Sequence, residues 1–407
     1  MRVREFGGEQ WDAIVRVARW IVFGSVVGVL AGLSSAAFLT SLDWATATRQ
    51  DHPWVLWLLP LAGFVMGLAY WRLGGTSERG NNLVIDEIHE PTAWLPRRMA
   101  PLVFVATVVT NLFGGSAGRE GTALQMSASL SDGVFRRVIP IGAPDRRVLL
   151  ISAISGGFGA VFGVPVAGAV FGLEVHSRGR IRHDAIVPAL TASFVGDRIV
   201  HLLDVPHLPT PVIGVVDLDI GLLAKIVIAS VAFAWAAIAF IVLTHVVKDV
   251  LARFVGWPPL RPLIGGTVVV LMTLAVGTRD YLGLSLPLIE DALTGGVGLA
   301  AFAFGGKLVF TAVTLGSGFQ GGEVTPLFVV GSTLGATLAV AMDAPVPLFA
   351  ALGFVAVFAA ATKTPIACMI MGVELFGVGP IVPVMIACTL AYALSTHRSI
   401  YTSQRDG

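Results

Sequence analysis

Two glutamates stand in glycine-rich segments of an otherwise apolar chain, where a buried ion could be bound. Glu120 lies in Gly114-Gly-Ser-Ala-Gly-Arg-Glu-Gly-Thr-Ala-Leu-Gln125, and Glu323 lies in Gly316-Ser-Gly-Phe-Gln-Gly-Gly-Glu-Val-Thr-Pro-Leu-Phe328. Glycines that open a helix leave N–H groups without intrahelical partners at the positive end of the helix dipole. Such a helix start binds an anion without a full positive charge.

Glu120 adds a titratable group to this kind of site. As a carboxylate it is itself an anion and can occupy the anion site, and once protonated it can leave. One side chain could therefore exchange places with a permeant anion and carry a proton. The alternative is a carboxylate that only stabilises the helix dipole. Within a membrane, where ionisable residues are costly and usually functional, the first interpretation is favoured.

Three segments have the composition of an anion-binding helix start. They are Gly80-Asn-Asn-Leu83, Gly118-Arg-Glu-Gly121 and Gly321-Gly-Glu-Val-Thr325. If they converge, they form an anion pathway. The predicted anion-binding residues in these segments are Gly80, Asn81, Arg119, Gly121, Val324 and Thr325.

The elements that position these residues occur twice. A second signature, Gly163-Val-Pro-Val-Ala-Gly-Ala-Val-Phe-Gly-Leu-Glu174, follows the first glutamate motif, and Lys363-Thr-Pro-Ile-Ala-Cys-Met-Ile-Met-Gly-Val-Glu374 follows the second. Both pairs recur in the same order roughly two hundred residues apart. The pattern indicates an internal duplication of a membrane unit.

The composition indicates an integral membrane protein built from helices. Of its 407 residues 55% are hydrophobic and 13% are charged, with a net charge of +1. A soluble domain carries about twice that charged fraction. Lipid offers no hydrogen-bond partners, so a chain that spans it must pair its backbone groups within helices or a closed barrel. Nothing favours a nucleic-acid partner, a cofactor, a metal site or a disulfide. No nucleophile–base pair or nucleotide loop suggests an enzyme.

Many apolar stretches are shorter than the roughly 20 residues that cross a bilayer, and many contain glycine or proline. We therefore expect re-entrant and broken helices rather than plain spans. The predicted organisation is an interfacial helix over 1–20, a first repeat over 21–205, a connector over 206–219 and a second repeat over 220–407. A frayed N-terminus is the alternative for the first segment. No room is left for a C-terminal soluble regulatory domain.

The combined motifs resemble the CLC family of anion channels and proton-coupled antiporters, over about residues 75 to 402. The resemblance rests on Gly118-Arg-Glu-Gly121, on Ser317-Gly-x-x-Gly-Gly-x-x-x-Pro326 and on the paired Pro-(x)8-Glu segments. It implies an all-helical fold of two inverted-topology repeats, and a homodimer with one pathway per subunit. It also implies that Glu120 is the gating glutamate.

Three departures from the common pattern resemble the bacterial fluoride/proton antiporters of that family. Asn81 replaces the usual serine of Gly-Ser-Gly-Ile-Pro, Thr122 replaces proline, and Glu323 enters a filter segment that is apolar in chloride transporters. By this resemblance Asn81 helps to set halide preference and Glu323 with Thr325 serves coupling and central-site binding. Tyr401 lines the inner end of the pathway. The expected function is export of fluoride in exchange for protons across a bacterial plasma membrane, and a chloride/proton exchanger or chloride channel is the alternative.

Other ionisable residues are expected to be structural. Family chloride/proton antiporters place a proton-relay glutamate at the position of Val175, so Glu174 is interpreted as a helix-end residue rather than a relay. Lys307 and Lys363 are expected to anchor segments or to pair with carbonyl groups. Glu87, with its neighbours Asp86 and His89, is expected at the membrane surface.

Overall fold

A computed structural model describes residues 2–138, 141–295 and 299–406 of the chain. Within these ranges the chain is almost entirely helical, with two paired strands of two residues each, β1 (Ser177–Arg178) and β2 (Arg405–Asp406). The sixteen α-helices are α1 (Arg2–Asp51), α2 (Leu59–Leu73), α3 (Asn81–His89), α4 (Met99–Leu112), α5 (Glu120–Val138), α6 (Ala143–Phe162), α7 (Pro165–Glu174), α8 (Ile186–Leu202), α9 (Ile220–Phe254), α10 (Leu260–Val276), α11 (Leu286–Thr294), α12 (Ala303–Gly316), α13 (Val324–Ala341), α14 (Val346–Thr362), α15 (Pro365–Phe376) and α16 (Ile381–Leu394). The predicted all-helical fold class is confirmed.

Helix lengths separate spans from half-length segments. Five helical segments in the described part of the chain are long and apolar enough to cross a membrane, namely Gln10–Asp51, Pro53–Leu73, His183–Leu202, Ile220–Phe254 and Val324–Ala341. In contrast α3 has nine residues and α7 has ten, which at about 1.5 Å per residue reach no more than half of a hydrocarbon core of about 30 Å. Short helices of this kind can place their N-termini inside the protein.

The two repeats build the same three-helix unit. In the first, α5 is followed by α6 and by α7, which starts at a proline; in the second, α13, α14 and α15 follow the same order. The residue after α6, Gly163, and the residue after α14, Lys363, both adopt left-handed backbone conformations, with φ of 70° and 63°. A left-handed residue is a common helix stop. The Nζ of Lys363 donates to the Ser395 hydroxyl at 2.6 Å.

Small residues allow the helices to approach closely, as is usual where lipid provides no hydrophobic drive between them. On α1, glycines 24, 28 and 32 form a stripe that packs on α8. A Cβ atom on Gly28 would lie 2.7 Å from the Ala192 carbonyl oxygen, so a larger residue would push the helices apart. The interface of α13 with α14 is closer still, with glycine facing glycine at Gly331 and Gly353.

Three segments outside this repeated unit connect it. Residues 2–20 continue without a break into the rest of α1, and the stretch predicted as the connector, 206–219, has no regular secondary structure. Residues 399–406, here called the C-terminal segment, run back into the protein. Its Ile400 N–H donates to the Ala361 carbonyl at 3.1 Å, and its Ser403 N–H donates to the Asn82 Oδ1 at 3.0 Å. The Gln404 amide bonds the carbonyls of Val175 and Thr362, both at 2.7 Å.

Candidate functional site

The two glycine-rich motifs meet in an antiparallel bridge. The Gly118 N–H donates to the Gly322 carbonyl at 2.7 Å, and the Gly322 N–H donates to the Gly118 carbonyl at 2.8 Å. Helices α5 and α13 begin two residues after these glycines, at Glu120 and Val324. Their N-termini are therefore held side by side, as the sequence predicts for an anion pathway.

Glycine is required on both sides of this bridge because the backbones and a side chain approach closely. A Cβ on Gly322 would lie 2.9–3.0 Å from the backbone nitrogens of Arg119, Glu120 and Gly121. A Cβ on Gly118 would lie 2.9 Å from a carboxylate oxygen of Glu120. The space beside the first turn of α5 is thus kept free by these two glycines.

The Glu120 carboxylate is fully buried and bound by the opposite repeat. Its Oε2 accepts a hydrogen bond from the Thr325 N–H at 3.0 Å and another from the Arg119 N–H at 3.1 Å. Its Oε1 accepts from the Thr325 hydroxyl, and the Arg119 Nε lies 3.6 Å away. A carboxylate held by two backbone N–H groups, a hydroxyl and a nearby guanidinium occupies an anion site.

The bridge also fixes how the two motifs correspond. With Gly118 opposite Gly322, Arg119 corresponds to Glu323, and Glu120 corresponds to Val324. The two glutamates that the sequence pattern pairs are therefore offset by one residue in three dimensions. The first motif therefore has a cationic arginine, Arg119, at the position where the second motif has the carboxylate of Glu323.

Helix α3 brings a third segment to this junction. The Asn81 Nδ2 lies 2.9 Å from the place a Cβ would take on Gly121, so its amide packs over the first turn of α5. On the preceding residue, a Cβ on Gly80 would lie 3.3 Å from the Gln125 Nε2. The predicted convergence of three glycine-rich segments is therefore present in the structure.

Glu323 lies beside this junction but faces a different space. It precedes α13, and its carboxyl group makes no hydrogen bond or ion pair with the described residues. It lines a cavity of 370 Å³, here called the Glu323 vestibule, together with parts of α2, α9, α10, α12 and the C-terminal segment. Tyr401, from the same C-terminal segment, is 2% exposed and lies within Coulombic range of both Glu323 and Glu120.

A second series of cavities leads away from Glu120 on another side. A cavity of 10 Å³, about enough for one water molecule, is lined by Arg119, Thr325 and the rings of Phe162, Phe328 and Phe354. Leu286 lines both this cavity and a larger one of 530 Å³ beside Arg49 and Arg279. Arg119 and Thr325, which bond Glu120, thus line the small cavity, and Glu323 lines the vestibule.

The repeats meet again at the second pair of signatures, and there the contact is reciprocal. Glu174, at the end of α7, accepts hydrogen bonds from the N–H groups of Ile366 and Ala367 at 3.2 and 2.9 Å. Glu374, on α15, accepts from Val166 and Ala167 at 2.9 and 2.7 Å. Each glutamate caps the first turn of the other helix, which agrees with a structural role for Glu174. The sequence alone gave no sign of the matching cap by Glu374.

A buried ion cluster holds α3 in place, and it corrects the expected position of Glu87. Glu87 is 4% exposed and is not at the surface. Arg146 on α6 binds it at 2.8 Å and also binds Asp132 on α5 at 2.7 Å. A buried charge is stable only when paired and hydrogen-bonded, and Arg146 supplies the pairing. Lys307, fully buried, meets the prediction for it by donating to the Gly283 carbonyl at 2.6 Å.

Fold and site together define an integral membrane transport protein in which two broken, inverted repeats hold a buried carboxylate at paired helix N-termini. Residues 62–396 match the family model described as voltage gated chloride channel. The chain belongs to this family, the CLC channels and transporters, and is a multi-pass membrane protein.

Three similar proteins have names that state an ion-transport function. A protein of Pseudomonas syringae pv. tomato named chloride/fluoride channel protein is 44% identical over 407 residues, which cover 98% of this chain and 89% of that protein. The crystal structure of a CLC-type fluoride/proton antiporter superposes with a TM-score of 0.92 and 33% identity, covering 96% of this chain and 98% of that one. A slow cyanobacterial Cl⁻/H⁺ antiporter, 18% identical, shares the fold with a TM-score of 0.77, over 95% of this chain and 96% of that one.

Proposed function

We propose that the protein exports fluoride in exchange for protons across a bacterial plasma membrane, and that Glu120 is the moving group. The observation that carries the proposal is the Glu120 carboxylate bound by the Thr325 N–H and hydroxyl and by the Arg119 N–H. In this position the carboxylate oxygens stand where a permeant anion would bind. Fluoride that binds in their place displaces the carboxylate. Once Glu120 is protonated it carries no negative charge, so it no longer competes with fluoride for the site.

The donors at the junction suit a small, strongly hydrated anion. Replacing the water shell of fluoride demands several short hydrogen bonds, which the Thr325 hydroxyl and backbone N–H groups can donate. The Asn81 amide, with two N–H donors, lies over Gly121 and is the group proposed to set halide preference. The names of the 44% identical Pseudomonas relative and of the CLC-type fluoride/proton antiporter support fluoride as the substrate.

Glu323 is proposed to exchange protons with water through its vestibule. A carboxyl group that makes no hydrogen bond with the described residues and borders a cavity of 370 Å³ can be reached by water. Tyr401, near both carboxyl groups, is proposed to line the path between them. Glu323→Gln should weaken the coupling of proton to fluoride movement; tight coupling retained in that variant would refute this role.

Ion flux from proteoliposomes tests the function directly. Vesicles loaded with fluoride or with chloride are opened to anion efflux by a potassium ionophore, while ion-selective and pH electrodes record both fluxes. Fluoride efflux with stoichiometric proton uptake, and much slower chloride efflux, is the expected result. Equal rates for the two halides would instead support the chloride exchanger; the name of the Pseudomonas relative includes chloride as well as fluoride. Halide flux without proton flux would indicate a channel.

We also propose that the protein works as a homodimer with a complete pathway in each subunit. Cross-linking in the membrane, followed by measurement of the mass in detergent, tests this assembly. A species of one chain that transports at the full rate would contradict it.

A further inference from the structure

The Glu323 vestibule is lined by basic side chains that take no part in the proposed transport site. Helix α9 contributes His245 and Lys248, which are three residues apart and so lie on one face of the helix. Helix α10 contributes Arg261. These side chains border the cavity that ends at Glu323.

Arg261 keeps donors free toward the cavity, whereas His245 does not. The Arg261 Nε donates to the Val255 carbonyl at 3.0 Å, and its two terminal nitrogens have no partner among the described residues. His245 donates from Nδ1 to the Ile241 carbonyl at 2.7 Å, so the Nε2 of its neutral ring is an acceptor. Lys248 is exposed, and its Nζ forms no hydrogen bond or ion pair with residues 2–138, 141–295 or 299–406. By contrast Lys225, at the other end of α9, donates to the Asp343 carbonyl at 2.8 Å. Lys248 is thus an exposed cation at the cavity wall.

The charges of the vestibule balance only while Glu323 is ionised. The acidic side chains that line it are Glu78 and Glu323, and the permanent cations are Lys248 and Arg261. When Glu323 binds a proton, the cavity carries a net positive charge. A concave site with low-dielectric walls concentrates such a field and raises the local concentration of an anion.

We propose that Lys248, with Arg261, forms an anion-binding station in the Glu323 vestibule, which collects a small inorganic anion before it passes Glu323. This inference rests on the proposed transport of fluoride and extends it to a site one step earlier on the path. An anion that bonds directly to the exposed, solvated Lys248 is held weakly, so it can dissociate and pass to Glu323. The nearby rings of Trp71 and Trp257, 6.4 Å apart, would suit a lipid headgroup equally well, so the experiment separates the two ligands.

Initial rates of fluoride flux are measured for the full-length protein in vesicles of purely zwitterionic lipid. We expect Lys248→Gln to raise KM for fluoride about twofold to fivefold at low ionic strength with little change in kcat, as one unit charge near the entry would do. At about 0.15 M of an impermeant salt, where the Debye length is about 8 Å, the difference should shrink. Lys248→Arg should behave as wild type. The matched control is Lys225→Gln, about 35 Å away along the same helix, and it should have no effect.

A second experiment varies the sign of the charge at position 248. Lys248→Cys is treated from outside with a cationic or an anionic methanethiosulfonate of similar size; the native Cys368 and Cys388 are buried and protected. The cationic reagent should restore KM and the anionic reagent should raise it further. Equal effects of both reagents, or an unchanged KM in Lys248→Gln, would overturn the station while wild-type fluoride transport keeps the proposed function. An effect found only with anionic lipid would assign Lys248 to a headgroup, and wild-type vesicles that move no fluoride would reject the proposed function itself.

Discussion

The two repeats of this protein meet at two junctions that are built on opposite principles. At the α7–α15 junction the exchange is reciprocal, because Glu174 caps α15 and Glu374 caps α7. At the α5–α13 junction it is one-sided, because Glu120 from the first repeat caps α13 and, in the part of the second repeat that the structure describes, no side chain caps α5 in return. Both junctions use a carboxylate at a helix N-terminus, yet only one of them leaves a helix start open.

The difference teaches how a symmetric scaffold acquires a functional site. Two equal caps satisfy each other and leave nothing to move, so the α7–α15 junction holds the repeats together. A single cap can be lost and regained, because the freed N–H groups can bind an anion in its place. The proposed function therefore rests on broken symmetry at this junction, with Arg119 and Glu120 on one side and Glu323 and Val324 on the other.

Replacing the one-sided cap should have the largest effect. Glu120→Gln keeps an acceptor for the Thr325 N–H but can no longer lose or gain a proton. Because removal of a positioned proton-transfer group typically costs about 100-fold or more, proton flux should fall by at least that factor in the electrode assay while the protein stays folded. Proton coupling at the wild-type level in this variant would remove the functional distinction between the junctions.

Filling the open helix start should come next. In Gly322→Ala the added methyl group would lie 2.9–3.0 Å from three backbone nitrogens of α5, so we expect fluoride flux to fall about tenfold or more, as small displacements at a reacting site do. The matched control is Gly305→Ala within α12, where no atom lies near the added group. Transport by the control should be unchanged, and a similar loss in both variants would indicate a general effect of alanine.

Removing the reciprocal caps should change stability and leave coupling intact. Glu174→Ala and Glu374→Ala each delete two hydrogen bonds to a charged acceptor, so each should destabilise the fold by about 2–3 kcal/mol, with nearly equal values for the two. Thermal unfolding in detergent measures this, and Glu290→Ala, an exposed carboxylate on α11, is the control. Loss of proton coupling in only one cap variant would show that the α7–α15 junction is not symmetric in function.

The smallest effect is expected at the hydroxyl pair of Thr107 and Thr122, close to Glu120 in the sequence. Thr122, which stands where the family usually has proline, bonds the Thr107 hydroxyl at 2.7 Å. Thr122→Val should cost about 1 kcal/mol of stability and change fluoride flux less than twofold, since neither hydroxyl contacts Glu120. A larger change in flux would extend the functional site from the one-sided junction into α4.

The sequence predicted the parts of this architecture that depend on local pattern. The glycines before Glu120 and the prolines at 165 and 365 mark helix starts, because glycine permits close approach of the backbone and proline fixes φ at the first helical residue. The partner of each carboxylate could not be predicted, since Thr325 is 205 residues from Glu120. Glu87 shows the same limit: its charge suggested the surface, but Arg146, 59 residues further along, makes its burial possible.

The C-terminal segment has a consequence for the biogenesis of the protein. Residues 399–406 supply hydrogen bonds to Asn82, Val175, Ala361 and Thr362, and Tyr401 among them is buried. These residues are translated after all of the helices that they contact. A nascent chain therefore cannot form these hydrogen bonds until the segment has been synthesised, so a chain arrested before residue 399 would lack the donors that bind these four residues.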